Sequence, residues 1–157
     1  MAYWVWESAF SVGIAVIDNQ HKRIIDYINE LNNALMYRDS EKAKAILSYL
    51  VDYTLSHFSF EESLMQEAGY VMLEPHKKVH ESFIKRIDFF KERSSNGEEI
   101  TRQLMNELQI WLINHIQHDD KDYQEAVIDM LEKKQISAAK QTANEGWLKT
   151  LADTFFK

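Results

Sequence analysis

Apolar residues recur every three or four positions in four long stretches of the chain. This spacing is typical of α-helices that bury one face against a core. Glycine occurs four times and proline once, too few for the many turns that an all-β protein of this length needs. The sequence therefore predicts an all-α protein, with helices at about residues 18–37, 40–67, 75–93 and 98–117.

Residues that begin or end helices separate these stretches. Asp39 or Ser40 is a candidate N-cap, and Gly69 suits the left-handed conformation at a helix C-terminus. Pro75 fits the first turn of the next helix, and the polar run 94–97 predicts a loop. Because all connections are short, successive helices should be antiparallel neighbours. The prediction is an up-down-up-down antiparallel four-helix bundle.

The bundle is flanked by two shorter segments. An N-terminal arm, residues 3–13, carries aromatic residues that could cover one end of the core. Residues 1–131 are predicted to form the bundle domain, and residues 132–157 a C-terminal amphipathic helical extension. The simpler interpretation of this extension is a fifth helix docked on its own bundle, and the alternative is a surface for a protein partner or self-association. Its apolar residues at helical spacing are Trp147, Leu148, Leu151 and Phe155.

Charge and composition exclude several classes of function. The 18 basic and 25 acidic residues give a net charge of −7, which disfavours binding to nucleic acid or to an anionic membrane surface. The chain has no cysteine, so disulfides, thiolate metal sites and cysteine nucleophiles are excluded. Residues 1–11 do not resemble a signal peptide, and no apolar run is long enough to span a bilayer. We therefore expect a cytoplasmic protein.

Five of the six histidines extend the apolar stripes of the four predicted helices. His57 and Glu61 are four residues apart, as are His76 and His80, so each pair lies on one helix face about one turn apart. Two such groups can hold one metal ion, and a carboxylate can also bridge two ions. His21 and His115 lie on the other two helices.

A single histidine on an apolar stripe is more often a core side chain hydrogen-bonded to a backbone carbonyl. Five buried imidazoles are different, because each left without a partner costs on the order of 1–3 kcal/mol and a small core offers few partners. A shared metal centre would satisfy all of them. Five imidazoles with at least one carboxylate exceed the ligands of one tetrahedral zinc, and this mixture suits two iron ions.

The order of these residues resembles the hemerythrin family, in particular its bacterial single-domain form. The resemblance extends over about residues 4–131 and includes the runs 10–14, 17–22, 111–116 and 120–123. It implies that one iron is held by three histidines, a second by two histidines, and that two carboxylates and an oxo or hydroxo group bridge them. The implied ligands are His76, His80 and His115 for the first iron, His21 and His57 for the second, and Glu61 and Asp120 as bridges.

Two details of this ligand set are open to test. On an ideal helix Asp119 lies about 40° from His115 and Asp120 about 140°, so helical geometry favours Asp119. The family pattern favours Asp120, which requires the helix to end or widen after His115. His118 and Glu62 match no ligand position, and we expect both to be solvated.

The resemblance also implies a function. Dioxygen would bind at the open coordination position of the iron held by His21 and His57, with Leu112 lining the oxygen pocket. The leading hypothesis is therefore a reversible oxygen-binding protein, for storage, delivery or scavenging, and not an enzyme. The alternatives are an oxygen or redox sensor that signals through its C-terminal extension, and peroxide or nitric oxide chemistry at the open iron.

Overall fold

Helices account for almost all of the regular structure of the protein. The computed structural model describes residues 3–139 and 146–156, which contain no β-strand. Residues 1–2 of the predicted bundle domain, and 140–145 and 157 of the predicted extension, lie outside the described residues. The helices are α1 (Ala15–Met36), α2 (Ser40–Glu67), α3 (Leu73–Ser95), α4 (Thr101–Asn114), a π-helix (His115–Asp120), α5 (Gln124–Lys133) and α6 (Gly146–Phe155).

The first four helices form an antiparallel bundle, as the sequence predicted. His21 in the first half of α1 lies against His57 in the second half of α2, with their Nε2 atoms 3.1 Å apart. Arg86 of α3 pairs with Glu107 of α4, and the rings of Phe83 and Trp111 stack at 4.3 Å. The predicted helix bounds agree within two to three residues except in α4, whose α-geometry ends at Asn114 and not near residue 117.

The connections explain where the helices begin and end. Asp39 caps α2, because its Oδ1 accepts a hydrogen bond from the backbone N–H of Lys42 at 3.1 Å. Gly69 follows the end of α2 at φ +65°, the left-handed conformation predicted for it. These residues determine where α2 begins and ends. The packing of the apolar helix faces then determines how the helices are arranged in the bundle.

Replacement of Asp39 by alanine should lower the free energy of unfolding by about 1 kcal/mol, the usual effect of losing an N-cap acceptor. Chemical denaturation at neutral pH measures this change. The matched control is Ser40→Ala, because Ser40 is exposed and makes no cap hydrogen bond to the helix. Equal losses in the two variants would contradict the assignment of the cap to Asp39.

The N-terminal arm crosses from α1 to α4. The backbone N–H and C=O of Trp4 both bond to the side-chain amide of Asn29, each at 2.8 Å, and Tyr3 Oη donates to Asn106 at 3.1 Å. The indole of Trp4 is buried against Phe10, with ring centroids 6.0 Å apart. The arm therefore covers part of the core, as predicted.

The described part of the C-terminal extension docks on the bundle. The ring of Phe156, directly after α6, lies 5.0 Å from Tyr53 and 5.9 Å from Phe60 of α2. Leu148 is buried, and within the extension itself the ammonium of Lys134 lies 4.7 Å from the centre of the Trp147 ring. These contacts agree with the interpretation of the extension as a helix docked on its own bundle. Within the described residues, no helix has both the length and the apolar character that crossing a bilayer requires.

Candidate metal centre

Helices α1, α2 and α3, and the π-helix that continues α4, direct imidazole or carboxylate groups into one buried cluster. Seven side chains take part, and none is more than 5% exposed. They form two overlapping donor groups, in each of which the candidate ligand atoms lie within 4.8 Å of one another. The three-histidine group is Glu61, His76, His80, His115 and Asp120, and the two-histidine group is His21, His57, Glu61 and Asp120.

Glu61 lies between the two groups and presents one carboxylate oxygen to each. Its Oε1 is 3.0 Å from His80 Nε2 and 3.3 Å from His76 Nε2. Its Oε2 is 3.5 Å from His57 Nε2 and 4.0 Å from His21 Nε2. A carboxylate in this position can ligate one ion through each oxygen.

Asp120, at the end of the π-helix, also presents one carboxylate oxygen to each donor group. Its Oδ1 is 3.0 Å from His115 Nε2 and 3.2 Å from His76 Nε2, and its Oδ2 is 3.2 Å from His21 Nε2. Neither oxygen of this fully buried carboxylate has a hydrogen-bond partner in the described residues. A buried carboxylate without hydrogen bonds is stable only beside positive charge, which a bound cation supplies.

The π-helix places Asp120 in the cluster. Its hydrogen bonds close over five residues, so the residue five positions after His115 returns towards the same face. Asp119 instead lies outside the cluster with its side chain 40% exposed, and its Oδ2 accepts a hydrogen bond from His115 Nδ1 at 2.8 Å. The helix thus widens after His115. This widening is what Asp120, and not Asp119, needs in order to reach the cluster.

The arrangement of the imidazoles in the three-histidine group also favours a bound cation. His80 and His115 donate their Nδ1 protons to Glu62 and Asp119, so their Nε2 atoms carry lone pairs when the rings are neutral. These two Nε2 atoms are only 2.9 Å apart. Two lone pairs at this distance repel each other, and a metal ion bound to both removes the repulsion.

The charges of the cluster suit divalent or trivalent cations. Burial lowers the pKa of His57 to about 3, so this imidazole is neutral at physiological pH and its nitrogen can ligate. Although burial acts to raise them, the surrounding imidazoles hold the pKa values of Glu61 and Asp120 well below the usual range. Although burial acts to lower it, the negative charges of the nearby Asp120 and Glu61 carboxylates raise the pKa of His76 to about 9. The two ionised carboxylates therefore attract positive charge into the core.

Three residues around the cluster were not identified from the sequence. Gln20 Oε1 accepts a hydrogen bond from His57 Nδ1 at 2.7 Å, and Tyr123 Oη donates to Glu61 Oε2 at 2.8 Å. Glu62, which we expected to be solvated, is 24% exposed, but its Oε2 also accepts a hydrogen bond from His80 Nδ1 at 2.7 Å, a contact that was not predicted from the sequence. Glu62 reaches a histidine on another helix, so no spacing along α2 could have revealed the contact.

Aromatic side chains stack on two imidazoles of the three-histidine group. Phe58 stacks on His80 with ring centroids 4.1 Å apart, and Trp111 stacks on His115 at 4.4 Å. Leu112 is fully buried one turn before His115. His118 is exposed, as predicted, with Nδ1 bonded to the backbone carbonyl of Asn114 at 2.9 Å. The rings of Phe58 and Trp111 help to keep water from His80 and His115, which are at most 2% exposed.

The fold and the cluster define a helical-bundle protein with a buried histidine–carboxylate site that fits metal ions. Comparison with known proteins gives its family. Residues 12–127 match the family model described as the hemerythrin HHE cation binding domain. The chain thus belongs to the hemerythrin family, and its relatives place it among the bacteriohemerythrins, as the sequence predicted.

Relatives differ in how much of this chain they cover. A bacteriohemerythrin of Pseudomonas aeruginosa (strain LESB58) is 42% identical over 156 residues, which cover 99% of both chains. One from Clostridium acetobutylicum is 31% identical and covers 76% of this chain and 98% of its own. The crystal structure of wild-type hemerythrin superposes with a TM-score of 0.74 at 30% identity, covering 80% of this chain and 98% of that one.

Proposed function

We propose that this chain holds two iron ions and binds dioxygen reversibly. Dioxygen would bind at the ion held by the two-histidine group, in a pocket lined by apolar side chains. The observation that carries the proposal is the pair of donor groups that share Glu61 and Asp120. With both carboxylates shared, one group offers three further imidazoles and the other only two. The second position therefore has one ligand fewer, which leaves room for a small molecule.

The donor set supports iron over other common metals. Five imidazoles and two carboxylates exceed what a tetrahedral zinc accepts, and calcium and magnesium prefer all-oxygen sites. Mixed nitrogen and oxygen ligation suits iron, and the relatives carry the names hemerythrin and bacteriohemerythrin. A pair of ferrous ions supplies the electrons and the open coordination position that dioxygen binding requires.

The role of this chain's own residues is to hold the ions and to keep the pocket free of water and acids. Leu112 is our candidate for the oxygen pocket, since it is fully buried on the helix face that leads to His115. Release of unchanged dioxygen requires few proton donors nearby. Tyr123 is the phenol that contacts the cluster, and its O–H group is already committed to Glu61. This supports a binding protein over an enzyme that reduces peroxide.

The docked extension bears on the sensor alternative. Phe156 packs on Tyr53 and Phe60, so the apolar side of the described extension has a cover within the same chain. A partner surface would need this contact to break. We therefore favour a carrier or scavenger of dioxygen. If the protein is instead a sensor, the experiment below should show a change in the extension.

The test is anaerobic reconstitution with two equivalents of Fe²⁺, followed by repeated cycles of oxygen and vacuum while the visible spectrum is recorded. A carrier should return to the same deoxy and oxy spectra in each cycle, with unchanged mass by light scattering. Rapid conversion to a permanently oxidised form, together with a change in oligomeric state or protease sensitivity of residues 146–156, would indicate a sensor. Binding of no iron would refute the proposal.

A further inference from the structure

The outer nitrogens of the candidate ligand imidazoles are held differently in the two donor groups. In the three-histidine group, His80 donates to the carboxylate of Glu62 at 2.7 Å and His115 to the carboxylate of Asp119 at 2.8 Å. In the two-histidine group, His57 donates to the neutral amide of Gln20 at 2.7 Å. His21 Nδ1 is buried without a hydrogen-bond partner in the described residues. Two negative charges thus support one group and none supports the other.

This difference has a consequence for the binding of metal ions. A carboxylate that accepts the outer proton of an imidazole increases the electron density on the inner nitrogen, and it adds a negative charge close to the ion. A neutral amide fixes the orientation of the ring without adding charge. The imidazoles of His80 and His115 are therefore stronger donors than those of His57 and His21.

We propose that Glu62 and Asp119 are positioning residues that make the three-histidine position take up its metal ion first and hold it more tightly. The proposal rests on the proposed function, since it assumes that the cluster holds two ions. According to this proposal, two residues that are not ligands, Glu62 and Asp119, determine which of the two positions fills first. The two-histidine position then fills second and holds the more exchangeable ion.

The surroundings of both carboxylates suit this role. The side chains of Glu62 and Asp119 are 24% and 40% exposed, so both carboxylates keep contact with water. Their partners His80 and His115 are buried and stacked against Phe58 and Trp111, which fixes the ring planes. The rings therefore keep their orientation when the outer charge is removed, and a substitution to the matching amide tests the charge alone.

The experiment is a titration of the metal-free protein with Co²⁺ under nitrogen, followed by calorimetry and visible absorption. Cobalt is a suitable probe because its absorption bands are weak in six-coordinate sites and stronger in sites of lower coordination number. The wild-type protein should bind two ions in two steps. The first step should give the weaker bands and the second step the stronger ones.

The variants Glu62→Gln and Asp119→Asn keep the shape of each side chain and remove its charge. Each should weaken the first step by about 10–100-fold, the usual effect of losing such an outer partner. The second step should change by less than about threefold. The matched variant Gln20→Glu adds the missing charge beside His57 and should strengthen the second step, by a similar factor, without strengthening the first. Circular dichroism of each metal-free variant checks that the bundle is folded.

The outcomes separate this inference from the proposed function. If the wild-type protein binds a pair of ions but Glu62→Gln and Asp119→Asn leave the first step unchanged, or weaken both steps equally, the inference is wrong and the proposed pair stands. If the wild-type protein binds no pair of ions, the proposed function and the inference both fail.

Discussion

Removal of the two metal ions that we propose for this protein is expected to lower its melting temperature by roughly 16–32 °C. An ion present at about a thousand times its dissociation constant stabilises the folded state by about 4 kcal/mol, so two ions contribute about 8 kcal/mol. For a chain of this size each kcal/mol corresponds to about 2–4 °C. The effect is large because the metal-free core contains a carboxylate, Asp120, without hydrogen bonds and close contacts between imidazole nitrogens.

Thermal unfolding followed by circular dichroism, with and without a chelator, measures this shift. The control is His118→Ala, which removes an exposed histidine outside the cluster and should show the same shift as the wild-type protein. A shift below about 5 °C in protein that had bound two ions would mean that the metals contribute little to the fold.

Replacement of Glu61 by glutamine should abolish binding of the proposed metal pair. The carboxylate oxygens of Glu61 face both donor groups, so loss of its charge weakens both positions. The amide that replaces it is a poor metal ligand and places N–H groups against imidazole nitrogens. We expect a loss of at least about 100-fold in affinity, equivalent to about 2.8 kcal/mol, and no more than one bound ion per chain.

Metal analysis after dialysis against Fe²⁺ or Co²⁺ measures the stoichiometry. Asp52→Asn is the matched control, because it removes a carboxylate from the same helix at an exposed position and should keep two ions bound. A Glu61→Gln variant that retained two ions with wild-type affinity would show that this carboxylate does not bridge them.

Much of the fold could be predicted because local signals and packing agree. The apolar stripes gave four helices, and Asp39 and Gly69 mark the beginning and end of α2 in the structure as they do in the sequence. The end of α4 was misjudged for a physical reason. The periodicity used to find helices assumes 3.6 residues per turn, and the segment His115–Asp120 departs from it.

The histidines of the candidate site were recognisable because imidazoles on an apolar stripe need partners that a small core lacks. Spacing on an ideal helix favoured Asp119, which lies outside the cluster, over Asp120, which lies inside it. The contacts of Glu62, Gln20 and Tyr123 depend on how separate helices pack. Such contacts leave no trace in the spacing along one helix, so only the folded structure reveals them.

The wide turn after His115 has a consequence for protein design. This six-residue turn brings two consecutive aspartates to opposite sides of the His115 ring. Asp119 bonds to Nδ1 on the outer side of the bundle, and Asp120 lies near Nε2 in the core. A regular α-helix directs the residue five positions on about 140° away. A designer who transplanted the seven donor residues onto an idealised bundle would therefore recover six of them in place, and an artificial centre would need this irregular turn built in from the start.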